Sequence, residues 1–279
     1  MRYLITGDRG FVGTETKKLL AEHEVVSFDL MGGHDIRDKR NVELAVTETV
    51  PDRILHLAAI ARFSEADKDP KLAFETNVLG TKNVVDVASK YHIPLVYAST
   101  GSVYMPIIQE PPITEDFMAC GNSVYGCSKY LGERYVTMHT PHIILRYAHL
   151  YGKEKRHHGL IGGFLTRINR GLTPVLYGGK QSNDFTYIVD VANANLKALT
   201  APWDAWNQTY NIGTGEEITA EEAAKAICEA SGYTGEIKKE EQRTVDPEHF
   251  VYDTSKAERM LGFKAEYDFK TGLEDMFKV

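Results

Sequence analysis

Along the first half of the chain, short runs of large apolar residues alternate with longer stretches in which apolar positions recur every three or four residues. Arg2 to Thr6 is the first run; a glycine-rich turn follows it, then a helical pattern that Leu19 and Leu20 close. Val25 to Asp29 reads as a second buried strand ending on an acid, Arg53 to Ala59 as a third and Pro94 to Ser99 as a fourth. Leu72 to Tyr91 carries Val78, Val84, Val85 and Ala88 at helical spacing, Tyr125 to His139 is helical again, and His142 to Tyr147 is a further strand. Strands that are apolar throughout are covered on both faces. Their alternation with helices predicts right-handed parallel β-α units, hence an α/β fold built on a doubly wound parallel sheet.

The texture changes after Tyr151. Gly and basic residues cluster from Gly152 to Gly163, Pro174 to Gly179 is turn-rich, and strand patterns at Phe185–Ile188 and Thr209–Ile212 flank a helix from Val189 to Leu199. Ala220 to Ser231 is an amphipathic helix. The expected division is a dinucleotide-binding domain over 1–150, to which segments near 185–212 return, and a smaller mixed α/β substrate-binding lobe over 151–279. That lobe is expected to close over the carboxyl edge of the sheet.

Bulk properties narrow the class. At 279 residues the chain is long enough for one large core or for a main domain carrying a smaller one. A formal charge of −7 argues against nucleic acid or an anionic membrane as the main partner. Cys120, Cys127 and Cys228 do not make a disulfide framework, and no apolar run approaches the roughly 18 residues of a membrane span. Met1 leads almost directly into a strand, with no room for a signal peptide, so the cytoplasm is the expected compartment. Cys120 and Cys127 bracket Tyr125 at a spacing that is neither a redox nor a zinc pattern, and they read as small packing residues.

Two segments carry chemistry. Thr6-Gly7-Asp8-Arg9-Gly10-Phe11-Val12-Gly13 stands between a predicted strand and a predicted helix, the setting in which such glycines bind a dinucleotide in a Rossmann-type sheet. Gly7 permits the turn, Gly10 lets backbone approach a pyrophosphate, and Gly13 lets helix pack on strand. Asp29 falls about 20 residues on, where an acid binds the adenosine ribose and repels a 2′-phosphate, favouring NAD over NADP. The competing reading is a strand-ending Asp that caps a turn. Asp35 and Ile36 are placed to flank the adenine.

The second segment is Tyr125-Gly126-Cys127-Ser128-Lys129. Residues four apart on a helix share a face. A phenol is a weak base at neutral pH, but a neighbouring ammonium and a cationic nicotinamide favour its phenolate, which then takes a proton from a substrate hydroxyl as hydride leaves the same carbon. Thr100, just past the Pro94–Ser99 strand, is placed to steady that oxygen. Taken alone, a Tyr/Lys pair at this spacing is a surface pair. The glycine segment and the Ser99-Thr100 strand end reverse that reading.

The ordered series Thr6–Gly13, His56-Leu57-Ala58-Ala59, Asn77-Val78-Leu79-Gly80-Thr81, Tyr97–Tyr104, Tyr125–Lys129, Leu145-Arg146-Tyr147-Ala148, Asp184–Val191 and Tyr210-Asn211-Ile212-Gly213 resembles the extended short-chain dehydrogenases/reductases, in the nucleotide-sugar epimerase/dehydratase group. The resemblance spans nearly the whole chain. It implies Thr100, Tyr125 and Lys129 as the catalytic residues, Leu57, Ala58, Ala59, Asn77, Ser99 and Tyr147 as further lining for the cofactor NAD, and Thr100 and Ser102 at the substrate. It also implies a homodimer through the helices around Leu72–Tyr91 and Tyr125–His139. Dehydratases of the group carry Asp-Glu after the catalytic Thr, where this chain has Gly101-Ser102. A Cys at the Ser102 position, as in the GDP-fucose synthase type, is also missing. The UDP-glucose 4-epimerase type remains, with a nucleotide sugar as substrate.

The substrate side departs from that pattern. His149 replaces an Asn that commonly contacts the phosphates, and Asn183 replaces an Arg that reaches a phosphate; Arg243, three residues before Asp246, matches a second phosphate-binding Arg. His149 is either a substitute donor or a satisfied structural histidine. Arg156-His157-His158 reads as a solvated loop or a flap over an anionic substrate rather than a metal site. Two rival functions stay open: a ketosugar reductase or dehydrogenase that exchanges NAD(P), and a dinucleotide sensor without chemistry.

Overall fold

Strand β1 (Arg2–Thr6) feeds helix α1 (Phe11–Leu19) and then β2 (Glu24–Phe28), which runs parallel beside it. The chain then crosses back: α2 (Lys39–Thr49) leads to β3 (Arg53–His56), which pairs with the other edge of β1. Helices α3 (Phe63–Lys68), α4 (Pro70–Phe74) and α5 (Thr81–Lys90) lead to β4 (Leu95–Thr100), and α6 (Val124–Val136) to β5 (His142–Tyr147). Then come β6 (His149–Tyr151), α7 (Gly159–Asn169), β7 (Val175–Tyr177), β8 (Ser182–Asn183), β9 (Phe185–Tyr187), α8 (Ile188–Leu199) and β10 (Gln208–Ile212). The chain finishes with β11 (Ile218–Thr219), α9 (Ala220–Ser231), β12 (Lys238–Glu240), α10 (Ser255–Leu261) and α11 (Phe269–Phe277). This computed structural model describes residues 1–105, 110–139, 141–153, 159–241 and 248–278.

Six strands make one parallel sheet in the order β10-β5-β4-β3-β1-β2. The direction of winding reverses between β2 and β3, so a crevice opens past the carboxyl ends of β1 and β3, where such folds bind ligands. Neighbouring residues on each strand bury into opposite layers. Ile5, Leu55, Val96 and Leu145 join one core, while Leu4, Ile54, Leu95 and Ile144 join Val42, Val46, Val84 and Ala88 from α2 and α5. That is why these strands are apolar throughout. The doubly wound α/β fold expected from the pattern is the one observed.

The remaining strands form three two-stranded pieces, β6 with β9, β8 with β11 and β7 with β12, beginning where the chain leaves β5. Helix α8 and strand β10 go back to the main sheet; α8 is tied to α1 by the Asn195 amide, which donates to Thr16 Oγ1 at 3.0 Å. Helix α9 keeps its expected bounds because Thr219 and Glu222 form a capping box and Gly232 ends it with a φ of 70°.

Three expectations need correction, and one helix escapes the sequence pattern. The strand at Arg53 stops at His56, because Leu57 to Ala59 turn into the crevice. The single helix over 72–91 is interrupted by a π-helical turn, Glu75–Gly80, carrying Asn77. Cys120 and Cys127 are exposed, so they are not packing residues; only Cys228 is buried, and all three thiols are free. Lys39–Thr49 was not anticipated as a helix, since only Val42 and Val46 on it are buried, Leu44 is exposed and most of the rest is polar. Among the described residues, no helix is long and apolar enough to cross a membrane.

Candidate active site

The glycine turn is built by contact, residue by residue. Gly7 has a φ of +72°, and a β-carbon there would lie 2.7 Å from Ala58 N. A β-carbon at Gly13 would lie 2.6 Å from Asp8 Cα and from the Gly7 carbonyl, so only glycine lets α1 pack this closely on β1. At Gly10 the nearest atom is the Gly7 carbonyl at 3.2 Å, and otherwise the space is open. Gly10 caps α1 without a side-chain hydrogen bond, leaving the amides of Phe11, Val12 and Gly13 without intrahelical partners at the positive end of the helix. This donor set fits a dinucleotide pyrophosphate.

Fixed polar groups surround the turn. Asp8 is fully buried, paired with Lys17 and accepting from Ser27 Oγ at 2.8 Å. Thr6 Oγ1 accepts from Ala58 N at 3.2 Å and meets His56 Nδ1 at 2.6 Å; His56 Nε2 meets Thr81 Oγ1 at 3.0 Å. Burial, with the charge of Lys129 nearby, pushes the His56 pKa down to about 3, so the ring is a neutral hydrogen-bond bridge. Asp29 stands at the end of β2 beside the glycine turn. Its Oδ1 accepts from Met31 N at 2.8 Å and its Oδ2 from Arg9 N at 3.3 Å, so the turn-capping role is real and one oxygen faces the glycine segment. Asp35 is held by the Arg37 guanidinium, which lowers its pKa, while Ile36 is buried against Gly80.

The second segment folds onto the carboxyl end of β4. Ser123 caps α6 through Gly126 N at 3.0 Å, and Asn77 locks the helix: its amide donates to Ser128 Oγ at 2.9 Å and exchanges two hydrogen bonds with the Ile60 backbone. Tyr125 and Lys129 are both buried. The Tyr125 hydroxyl hydrogen-bonds the Thr100 side chain, which lowers its pKa, although burial outweighs this and raises it overall. Lys129 Nζ lies 4.1 Å from the centre of the Tyr97 ring, and burial lowers its pKa to about 7. Tyr147 pairs in register with Thr100, and its hydroxyl donates to Asn195 Oδ1 at 2.6 Å. Thr100, Tyr125, Lys129, Asn77, Ser99 and Tyr147 are therefore gathered at one strand end, opposite the glycine turn.

On the substrate side, Ser102 Oγ is 3.3 Å from Thr100 Oγ1. The His149 ring contacts Phe185 and Phe250 with centroids 6.1 and 5.4 Å away; it stays exposed, but the surrounding walls lower its pKa and favour the neutral ring. Asn183 precedes Asp184, whose carbonyl accepts from His149 N, and the Asn183 Oδ1 is buried without a hydrogen-bond partner among the described residues. Arg243 and the Arg156-His157-His158 stretch lie outside the described residues, among which no cluster of three metal-ligating side chains occurs. Gly101 has no room for a side chain: a β-carbon would sit 2.4 Å from Phe250 Cζ and 2.6 Å from Tyr252 Oη. The Asp of the dehydratase pattern does not fit there.

Sequence reasoning missed Glu133 and Arg146 as partners. They form a buried ion pair, with Nη2 to Oε2 at 2.7 Å and Nε to Oε1 at 2.9 Å, and Ser99 Oγ donates to the same Oε1. The only signal was an acid one turn beyond Lys129.

Comparison with known proteins gives the same setting. The sequence model of the NAD dependent epimerase/dehydratase family matches residues 3–213. The chain is 32% identical to a Methanocaldococcus jannaschii protein named "Putative UDP-glucose 4-epimerase", with 97% of this chain and 95% of that one covered. Among solved structures, UDP-glucose 4-epimerase from Thermotoga maritima with UDP-glucose superposes with a TM-score of 0.91 at 27% identity, covering 99% of this chain and 97% of that one. The Thermus thermophilus UDP-glucose 4-epimerase in complex with NAD gives 0.88 at 30%, covering 99% and 98%.

Proposed function

Since this chain belongs to the NAD dependent epimerase/dehydratase family, we propose that it is a nucleotide-sugar 4-epimerase that keeps NAD bound throughout its cycle and acts on a UDP-sugar. The observation that carries the reading is Tyr125 hydrogen-bonded to Thr100 at the end of β4, with Lys129 one helical turn below. NAD supplies the hydride acceptor. The chain's own residues do the rest: the α1 amides hold the pyrophosphate, Asp29 the ribose, and Thr100 orients the C4 hydroxyl towards Tyr125.

In the cofactor-free protein, burial alone opposes both charged forms, raising Tyr125 and lowering Lys129. Bound NAD would supply a positive charge that favours the phenolate of Tyr125. Proton removal at C4 is thereby coupled to occupancy of the cofactor site. The packed Gly101 supports epimerisation over dehydration, because it excludes the acidic side chain that elimination of water needs at this position. Exposed Phe74 and Leu79 beside α5 and Met138 beyond α6 support a homodimer through these helices. The three free thiols support a reducing compartment, the cytoplasm.

The test is a panel of UDP-, GDP- and dTDP-sugars scored for C4 epimers, with absorbance of the reduced cofactor followed on the protein. Non-dialysable NAD and UDP-sugar epimers are expected. Tyr125→Phe should lose on the order of 10²–10⁴-fold in turnover while retaining NAD. Loose, exchangeable NAD(P)H and net reduction of a ketosugar would point to the reductase instead, and full activity in Tyr125→Phe would remove Tyr125 from the mechanism.

A further inference from the structure

The Glu133 carboxylate stands where three elements of the site meet. On α6 it is one turn beyond Lys129; from β4 it receives the hydroxyl of Ser99, the residue before Thr100; from β5 it receives the guanidinium of Arg146, the residue before Tyr147. Its side chain is 3% exposed, and both oxygens are used. Arg146 extends the tie: Nη1 donates to Tyr104 Oη at 2.7 Å, and that hydroxyl donates to Asn211 Oδ1 at 2.7 Å on β10. By contrast, Lys129 Nζ makes no hydrogen bond to any described residue and rests on the Tyr97 ring.

We propose that Glu133 is a positioning residue for the reaction: clamped by Arg146 and Ser99, its carboxylate is the fixed negative charge that keeps Lys129 an ammonium beneath Tyr125. This rests on the reading of Tyr125 and Lys129 as the reacting pair. The other titratable and charged groups around Lys129 do not supply that charge. Tyr97 on β4 is a neutral phenol, its pKa raised well above the ordinary value by burial; His56 on β3 is neutral; Tyr125 is protonated without cofactor; Arg146 on β5 is positive. Glu133 is the group that raises the Lys129 pKa against the cost of burial. The Arg146 fork, with one nitrogen on each carboxylate oxygen, holds that charge in place.

The experiment follows the Lys129 side chain directly, by NMR titration of isotope-labelled lysine in the full chain, its signal assigned by loss in Lys129→Arg. Glu133→Gln removes the charge and leaves Arg146 uncompensated; both changes act in the same direction. The Lys129 pKa should fall by about 1–2 units. The alkaline limb of kcat should move down by the same amount, so activity is lost steeply above neutrality and less below it. Glu133→Asp keeps the charge but draws it back by one methylene, so it should recover part of both, leaving a Lys129 pKa between those of the wild type and Glu133→Gln. An unshifted lysine titration in folded Glu133→Gln, or a loss of kcat that is equal at every pH, overturns the proposal. If Glu133→Gln does not fold, Glu133→Asp carries the test: its carboxylate is drawn back by one methylene, and an unmoved Lys129 titration overturns the proposal equally. The lysine titration needs no substrate, so failure of the epimerase reading would appear separately, as a wild-type protein that converts no nucleotide sugar.

Discussion

Gly101→Ala tests how tightly the strand end beneath the reacting groups is packed. Gly101 does not have a positive φ, so alanine is allowed by the backbone and the whole effect must come from contact. The new β-carbon would meet Phe250 Cζ at 2.4 Å, Tyr252 Oη at 2.6 Å and Phe250 Cε2 at 3.1 Å. Both rings are buried in a small cluster with Val103, Tyr104 and Ile113, so neither has free space to swing into. Overpacking of this kind costs about 1–3 kcal/mol, and two aromatic contacts at once put Gly101→Ala in the upper half of that range. Because Gly101 follows Thr100 directly, displacement should also move the hydroxyl that meets Tyr125, and a misplacement of about 1 Å is worth on the order of 10²-fold in rate. Urea denaturation gives the first quantity and steady-state kinetics the second. Phe250→Leu removes Cζ and Cε2, so the double variant should be more stable than the sum of the two changes by about 1 kcal/mol or more, well outside the ~0.5 kcal/mol expected for independent sites. A neutral Gly101→Ala, or strict additivity with Phe250→Leu, would refute the packing argument and with it the structural case against dehydration.

Asp29→Ala should loosen NAD and narrow its advantage over NADP, read by isothermal titration with each cofactor; an unchanged preference would leave Asp29 as a turn cap only. Lys129→Met should inactivate the protein yet stabilise it at pH 7 by about 2–5 kcal/mol, because the wild-type ammonium is buried with its pKa lowered from 10.5 to about 7. A lowered lysine pKa means the unfolded chain binds the extra proton between those values, so wild-type stability, measured without NAD, should rise with pH from about 7 upward, and this slope should vanish in Lys129→Met.

The geometry of the glycine turn and of the Tyr125/Lys129 helix face was legible because it is written in short spacings. Gly10 and Gly13 meet atoms of Gly7 and Asp8 only a few residues away, Gly7 takes a positive φ, and Tyr125 and Lys129 share a helix face by periodicity alone. The paired faces of β1, β3, β4 and β5 were likewise visible as unbroken apolar runs. What the sequence concealed depends on distant partners. Glu133 takes its meaning from Ser99 and Arg146, which lie on different strands, and the constraint on Gly101 comes from Phe250 and Tyr252 near the other end of the chain. The break in the helix at Glu75–Gly80 was hidden for a related reason. Its apolar spacing stays helical on both sides, while Asn77 is drawn into the crevice by Ile60 and Ser128.

These concealed contacts explain why the reacting groups sit in an environment that disfavours their charges. A dry site strengthens each electrostatic interaction within it, yet a buried ammonium with no hydrogen-bond acceptor would lose its proton and its influence on the phenol. The chain meets both demands by separating the tasks. Tyr97 covers Lys129 with an aromatic face, which excludes water and still attracts a cation, while Glu133, held one turn away by Arg146, supplies the countercharge without contacting the amine. A carboxylate bonded directly to Nζ would hold the ammonium more firmly, but it would also cancel the field that Lys129 exerts on Tyr125. Placing the acid at a distance keeps the lysine charged and leaves its positive charge facing the phenol.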